Sequence, residues 1–331
     1  MTPTIIIAPG DGIGQEVTPI AARALALLHP DWTYIPVELG YQCYQKTGIA
    51  LSDDVLNAMK QSTAILFGAA TTPPSKDYGS VLMRMRKELD LYANLRPIQT
   101  SSIDILIVRE NTEGLYSGIE WQEKDRACTV RVVSEAGTRR IIRYAVKAAS
   151  ERKNHLTIGT KANVLASDAY FYEIAKDEIA SMEKSGEITK PVTYSMKYID
   201  ALVLDVLEHP LHYDVIVTTN LFGDILSDAA GYLCGGLGLL PSANIGMTNA
   251  FFEPVHGSAP DIAGTNTANP VGAIRSAALL LRHLGDTDGA VFLEAAIQDT
   301  WNDGVKTKDI GGTASTTQFA ELFFKKLELR V

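Results

Sequence analysis

The sequence is short of several things, and each shortage removes a class of protein. Only three cysteines, Cys43, Cys128 and Cys234, occur in 331 residues, and no two form a C-x-x-C pair. That spacing suits neither a disulfide framework nor a cysteine zinc site, and it points to a reducing, cytoplasmic setting. No apolar run approaches the ~20 residues that span a bilayer, so no membrane span is expected. The opening residues, Met1-Thr2-Pro3-Thr4-Ile5, show no basic segment and no long apolar stretch, so no signal peptide is expected. Positive charge is in deficit: 30 Lys and Arg stand against 39 Asp and Glu, a net charge of −9. Nucleic-acid binders usually present a basic face, and that class is set aside. Internal repeats and low-complexity tracts are missing too.

What remains is ordinary for a globular enzyme, with 46% hydrophobic and 21% charged residues. The length suits two domains or one large α/β unit. Residues 4–8 read as a buried strand running into Pro9-Gly10-Asp11-Gly12-Ile13-Gly14. A helix over about 15–29 follows, with Val17, Ile20, Ala24 and Leu27/Leu28 on one face. The glycines are spaced G-x-G-x-G, not G-x-G-x-x-G, and no acid follows at the dinucleotide distance. A tight turn is therefore expected there rather than a Rossmann pyrophosphate cradle. Further strands are expected at 32–38, 64–67, 103–108, 156–159 and 215–217. Ser52 reads as a helix N-cap, and helices are expected over about 80–91, 138–149, from 164 to 184, and 271–284. Residues 71–76 form a Thr/Pro-rich loop, 231–246 a glycine-rich stretch suited to close packing or a hinge, and 256–270 a long loop. The tail is helix, loop (309–314), helix. Residues 119–133 differ in kind, reading as a two-stranded hairpin with one wet face, either an oligomer contact or a surface flap. Alternating strands and helices predict an α/β fold with a mainly parallel, helix-covered sheet.

Chemistry concentrates in a few places. The stretch 220–228, N-L-F-G-D-I-L-S-D, follows the strand at 215–217 and starts a helix, so Asp224 and Asp228 share one face. Paired carboxylates suit a hard divalent cation, Mg²⁺ or Mn²⁺, although a D-x-x-x-D standing alone is more often a solvated helix start. Arg86, Arg96 and Arg109 each fall at the edge of a predicted element. Each alone reads as a structural ion-pair partner, but three in an acidic chain suit a di- or tricarboxylate ligand. Tyr116 and Lys161 are candidate acid and base. The loop at 253–264 mixes small residues with Asp261, which can accept from ribose hydroxyls and repel a 2′-phosphate.

All of these residues but Arg86 lie in longer motifs: L-Y-A-N-L-R-P (91–97), V-R-E-N-T-E-G-L-Y-S-G (108–118), K-A-N-V (161–164), T-N-L-F-G-D-I-L-S-D (219–228), G-G-L-G-L-L-P-S-A-N-I-G (235–246) and E-P-V-H-G-S-A-P-D-I-A-G (253–264). Together they resemble the β-decarboxylating dehydrogenases, which act on isocitrate, homoisocitrate, 3-isopropylmalate and D-malate or tartrate. The resemblance runs over essentially the whole chain.

The resemblance implies an isopropylmalate/isocitrate dehydrogenase-like fold, not a Rossmann fold: two domains around a continuous mixed sheet. Residues 1–92 and 236–331 would form the large domain, and 93–235 the smaller one, with a clasp near 119–133. It implies at least a homodimer with shared sites. Asp224 and Asp228 would bind the metal with Asp200 of the other subunit. Arg86, Arg96 and Arg109 would hold the malate moiety. Lys161, also from the other subunit, would be the base, and Tyr116 would return a proton to carbon. Gly257, Ser258, Asp261 and Asn269 would line the adenosine side of the cofactor, with Asp261 favouring NAD⁺ over NADP⁺. Substrate choice falls to the segment 79–86. Ser80 matches the isocitrate pattern S-x-N, but Leu82 replaces its asparagine, and Leu82 with Met83 is similar to isopropylmalate enzymes. R-E-N-T-E-G-L-Y-S-G is similar to the isocitrate and homoisocitrate branch. An isocitrate/homoisocitrate-type enzyme is thus expected, with 3-isopropylmalate the alternative. D-malate or tartrate follows behind, as does a non-catalytic regulatory subunit, since such subunits lose residues that are all present here. Thr160 and Ala201 depart from the usual histidine and asparagine.

Overall fold

The computed structural model describes residues 2–74, 78–188 and 190–331. Met1 of the N-terminal reading, and Ser75 and Lys76 of the loop expected at 71–76, lie outside them. The chain forms two compact units, Met1–Asp90 with Gly235–Val331, and Leu91–Cys234. Leu91 and Tyr92, expected with the first unit, belong to the second, where their carbonyls accept from Asn111 Nδ2 and N at 3.0 Å each.

The first unit opens with β1 (Thr4–Gly10), α1 (Gly14–Leu28), β2 (Thr33–Pro36), α2 (Tyr41–Thr47), α3 (Asp53–Gln61), β3 (Ala64–Ala69) and α4 (Val81–Glu88). The second unit follows: β4 (Ala93–Gln99), β5 (Asp104–Glu110), β6 (Glu120–Gln122), β7 (Ala127–Thr129), α5 (Glu135–Ser150), β8 (His155–Thr160), α6 (Ala166–Ser185), β9 (Thr193–Tyr198), α7 (Ile199–Glu208), β10 (Val215–Thr218) and α8 (Asn220–Ala230). The chain then returns to the first with β11 (Pro241–Ile245), β12 (Ala250–Pro254), α9 (Val271–His283), α10 (Thr287–Asn302) and α11 (Thr316–Glu328).

Strand order in the first unit is β2-β1-β3-β12-β11, parallel except for β11 against β12. β1 and β3 bury Ile5, Ile6 and Ala64–Phe67 almost completely, as strands covered on both faces must. α1 and α9 pack on this sheet, and α10 packs on α9. The apolar face of α1 is turned from the one expected: Ala21 and Leu25 are buried, whereas Ile20, Leu27 and Leu28 are half-buried. Ala24 is buried as expected, and α1 also packs on α9.

The second unit orders its strands β4-β5-β10-β8-β9, with only the β4–β5 pair antiparallel. α5 packs against β5, β10 and β8, and α8 lies against β4, β5 and β10. β4 was not anticipated, because Asn94, Arg96 and Pro97 are poor strand residues. Its pairing with the apolar β5 overrides that propensity. Arg96 is consequently mid-strand, not at an element's edge. β6 and β7 form the expected hairpin, with Trp121 opposite Cys128. Within a single chain neither of its faces is fully covered. Trp121 is 50% exposed and only Cys128 is half-buried, because the two strands pack mainly on each other.

Candidate active site

Strand register brings two arginines to one place. In the β4–β5 ladder Asn94 stands opposite Arg109. Side chains alternate faces along a strand, so Asn94, Arg96 and Arg109 project from the same side. α8 approaches that side closely because residue 223 is glycine: a Cβ there would lie 2.6 Å from Arg109 Cγ. Arg109, 1% exposed, donates from Nε and Nη2 to Asn220 Oδ1 at 3.1 and 2.8 Å, and from Nη1 to Asp224 Oδ1. Arg96 Nε donates to Asn94 Oδ1 at 2.8 Å. Its Nη1 lies 3.3 Å from both Ser227 Oγ and Asp228 Oδ1, and its Nη2 lies 3.6 Å from Asp224 Oδ1. A buried guanidinium is tolerated only when paired in this way. Tyr116 sits in the 3₁₀ turn Leu115–Ser117 after Gly114, whose φ of 82° suits glycine. Its hydroxyl donates to Asp224 Oδ2 at 3.5 Å, and its ring centroid lies 6.0 Å from the Arg109 guanidinium carbon.

The two aspartates are not at the helix start, as the sequence reading had them. α8 begins at Asn220, and its first turn holds no acid. The helix dipole, which favours acids only in that turn, therefore does not account for them. Burial raises the Asp228 carboxyl above its usual range; Arg96 opposes that shift and Asp224 adds to it. Two neighbouring carboxylates are relieved by a further cation, and an oxygen-only donor set fits a hard divalent ion.

Lys161 and Asp200 form a second cluster in the same unit. Lys161 follows β8, and its Nζ donates to Asp200 Oδ1 at 2.6 Å, with the Tyr198 ring 5.9 Å away. That hydrogen bond holds the Asp200 carboxyl below its usual range. Among the described residues no three His, Cys, Asp or Glu stand close enough to hold a metal ion. Within one chain, then, the three expected ligands are not brought together.

The remaining site residues lie in the first unit. Ser80 caps α4, its Oγ accepting from Met83 N at 3.4 Å, while Leu82 and Met83 are half-buried. Arg86 is buried with Nη2 3.4 Å from Glu253 Oε1, and among the described residues its Nε has no hydrogen-bond partner. The Pro9–Gly14 segment is the tight turn expected, with φ of 71° at Gly10 and 57° at Gly12. Asp11 ties it to Tyr41 N, Gln42 N and Thr71 N at 2.8 Å each. It supports the 256–264 loop: Ile13 N donates to Ser258 O at 2.9 Å, and Thr71 Oγ1 to Ser258 Oγ at 2.7 Å. Ser258 and Asn269 are buried, Asn269 donating to Asp309 Oδ2 at 2.9 Å and accepting from Val271 N at 3.0 Å. Gly257 and Asp261 are exposed. Further along this loop a cavity of about 440 Å³ is lined by Thr265, Asn266, Thr267, Lys308, Ser315 and Gln318, none of them singled out from the sequence.

Sequence reasoning also missed the residues that hold the arginines: Asn94, Asn220, Ser227 and Glu253. All four stand within the motifs quoted above, but only the register and helix phase show what they touch; Glu253 opens the motif at 253–264 and reaches Arg86 from β12.

Comparison with known proteins agrees with this arrangement. The isocitrate/isopropylmalate dehydrogenase family matches residues 4–323. A 3-isopropylmalate dehydrogenase of Methanothermobacter thermautotrophicus is 41% identical over 334 residues, covering 98% of each chain. An isocitrate/homoisocitrate dehydrogenase of Thermus thermophilus is 40% identical over 334 residues, again with 98% of each covered. A crystal structure of isocitrate dehydrogenase from Methylococcus capsulatus shares the fold, with TM-score 0.91, 36% identity and 99% of each chain covered. With its motifs, its fold and its paired arginines and aspartates in agreement, the chain belongs to the isocitrate/isopropylmalate dehydrogenase family and is a dehydrogenase.

Proposed function

We propose that the enzyme oxidatively decarboxylates a 3-substituted (R)-malate, using NAD⁺ and Mg²⁺ or Mn²⁺. The observation that carries this is the cluster of Arg96, Arg109, Asp224 and Asp228, two cations and two carboxylates assembled beside Tyr116. Arg96 and Arg109 hold the malate carboxylates, a task their planar forks suit. Arg86 is assigned the same task, supported by its buried, unpartnered Nε. Asp224 and Asp228 bind the divalent cation, with Asp200 from a second copy as the third ligand, in a homodimer clasped through β6–β7. The bound cation would supply Lewis acidity at the C2 oxygen, and NAD⁺ would supply the hydride acceptor. Lys161 of the second copy takes the C2 hydroxyl proton, and Tyr116 delivers a proton to C3 after CO₂ leaves. Gly257, Ser258, Asp261 and Asn269 serve the cofactor, and the exposed Asp261 carboxylate disfavours a 2′-phosphate. Three free cysteines support a reducing, cytoplasmic setting.

For the 3-substituent, the half-buried apolar side chains of Leu82 and Met83 support an alkyl group, as in 3-isopropylmalate. The case for isocitrate or homoisocitrate leaned on R-E-N-T-E-G, and two distinctive side chains of that motif are engaged in the fold. Glu113 accepts from Ser134 N and Oγ at 2.9 and 2.7 Å, and Asn111 donates to the Leu91 carbonyl. Arg84, beside Leu82 and Met83, is taken by Leu51 O and Asp53. The tricarboxylate reading keeps one specific support, the Ser80 hydroxyl, which caps as an acceptor and retains its hydrogen as a donor. NADH formation should be compared by kcat/KM for 3-isopropylmalate, isocitrate, homoisocitrate and D-malate. Preference for 3-isopropylmalate is the expected result. Preference for a tricarboxylate would show that Ser80 and a second group hold the extra carboxylate.

A further inference from the structure

Lys161 does not stand alone. Its backbone N donates to Asp168 Oδ2 at 2.6 Å, and Asp168, in the first turn of α6, is completely buried. The other oxygen of that carboxylate, Oδ1, accepts from Arg131 Nη2 at 2.5 Å. The same Nη2 donates to Thr219 Oγ1 at 2.7 Å, and the Arg131 guanidinium carbon lies 4.6 Å from the Phe222 ring centroid. Thr219 is the N-cap of α8, yet its hydroxyl makes no capping bond. It accepts from Arg131 instead. Such a cap is normally worth ~1 kcal/mol, so the sequence forgoes a common stabilisation to hold this guanidinium. Arg131 itself follows β7, the second strand of the hairpin. One buried ion pair therefore ties the turn carrying Lys161 to the helix carrying Asp224 and Asp228.

We infer that Asp168 and Arg131 are positioning residues for Lys161, fixing its turn against the first turn of α8. The inference rests on the reading of Lys161 as the base. Neither residue needs to touch the substrate: Asp168 grips the main chain of Lys161, and Arg131 fixes Asp168. Loss of the grip lets the lysine amine drift, and a misplacement of ~1 Å can cost ~100-fold in rate.

The test is a double-mutant cycle on the full-length enzyme, followed by NADH formation with 3-isopropylmalate and with isocitrate. Asp168→Asn replaces one acceptor by an amide and should lower kcat by roughly 30- to 100-fold with KM within about twofold. On a Lys161→Ala background it should cost less than about threefold more, because residues acting through one group are not additive. Asp168→Glu should recover part of kcat. Arg131→Met carries the same comparison should the Asp168 variant not fold, with Arg131→Lys as its partial rescue. Equal losses on both backgrounds, or a rise in KM at unchanged kcat, would overturn the inference. If Lys161→Ala alone left turnover intact, the reading of Lys161 as base would fall, and the positioning role with it.

Discussion

Replacing Gly223 by alanine sets two effects of opposite sign against each other. Residue 223 lies inside α8, where alanine is favoured over glycine by ~1 kcal/mol. The new Cβ, however, would stand 2.6 Å from Cγ and 2.7 Å from Cβ of Arg109. Carbon atoms in contact settle near ~3.5–4.0 Å, so either the arginine or the helix must move by about 1 Å. Neither moves freely, since Arg109 is buried and bonded to Asn220 and Asp224. Overpacking of this kind costs ~1–3 kcal/mol, and weakening one charged hydrogen bond adds up to ~1.5–3 kcal/mol. After the helix-propensity gain is subtracted, the net loss is centred on about 2–3 kcal/mol. For a unit of this size that lowers its Tm by roughly 5–10 °C, read by scanning calorimetry. Because Arg109 is assigned to the substrate, kcat/KM should also fall by ~100-fold. A variant with raised Tm and unchanged kinetics would refute the close approach of α8 to Arg109.

Other expectations follow from single contacts. Gly12→Ala would place a Cβ 2.0 Å from the Ser258 carbonyl oxygen at a φ of 57°. It should displace the cofactor loop and raise the KM for NAD⁺ by ~10-fold or more, about 1.4 kcal/mol, while the substrate KM changes less. Glu113→Ala removes both acceptors of Ser134 and should cost ~1–3 kcal/mol in thermal unfolding, leaving the ratio of kcat/KM values between substrates unchanged. A changed ratio would return substrate meaning to R-E-N-T-E-G. Burial depresses the His283 ring below its ordinary value of about 6.5. The unfolded chain therefore binds that proton first, so stability present above pH ~6.5 is lost as pH falls toward the folded value. Denaturant unfolding at pH 7 and pH 5 should show a smaller acid loss for His283→Gln than for the parent chain.

Much of the α/β alternation was legible because its strands are buried on both faces and read as continuous apolar runs, as at Ile5, Ile6 and Ala64–Phe67. β4 was not, because Asn94, Arg96 and Pro97 disguise a strand whose pairing is decided by β5. The same strand explains why the site was only partly legible. Residue types marked Arg96, Arg109, Asp224 and Asp228, but which of them touch depends on the Asn94–Arg109 register and on the missing side chain at Gly223. The hairpin's strands followed from alternation, yet its exposure did not, since alternation says nothing of what covers each face. Asp168 and Arg131 left no local signal at all. A buried aspartate in a first helical turn looks like any helix-start acid until its partners are seen.

Coupled measurement of NADH and released CO₂ from 3-isopropylmalate and from isocitrate, with Mg²⁺ and then after chelation, would probe the chemistry at its root. One CO₂ should appear per NADH with at least one of the two acids, and both products should vanish on chelation and in Asp224→Asn. NADH formed without CO₂, or turnover indifferent to chelation and to Asp224, would contradict the assignment of Asp224 and Asp228 to a metal-assisted oxidative decarboxylation.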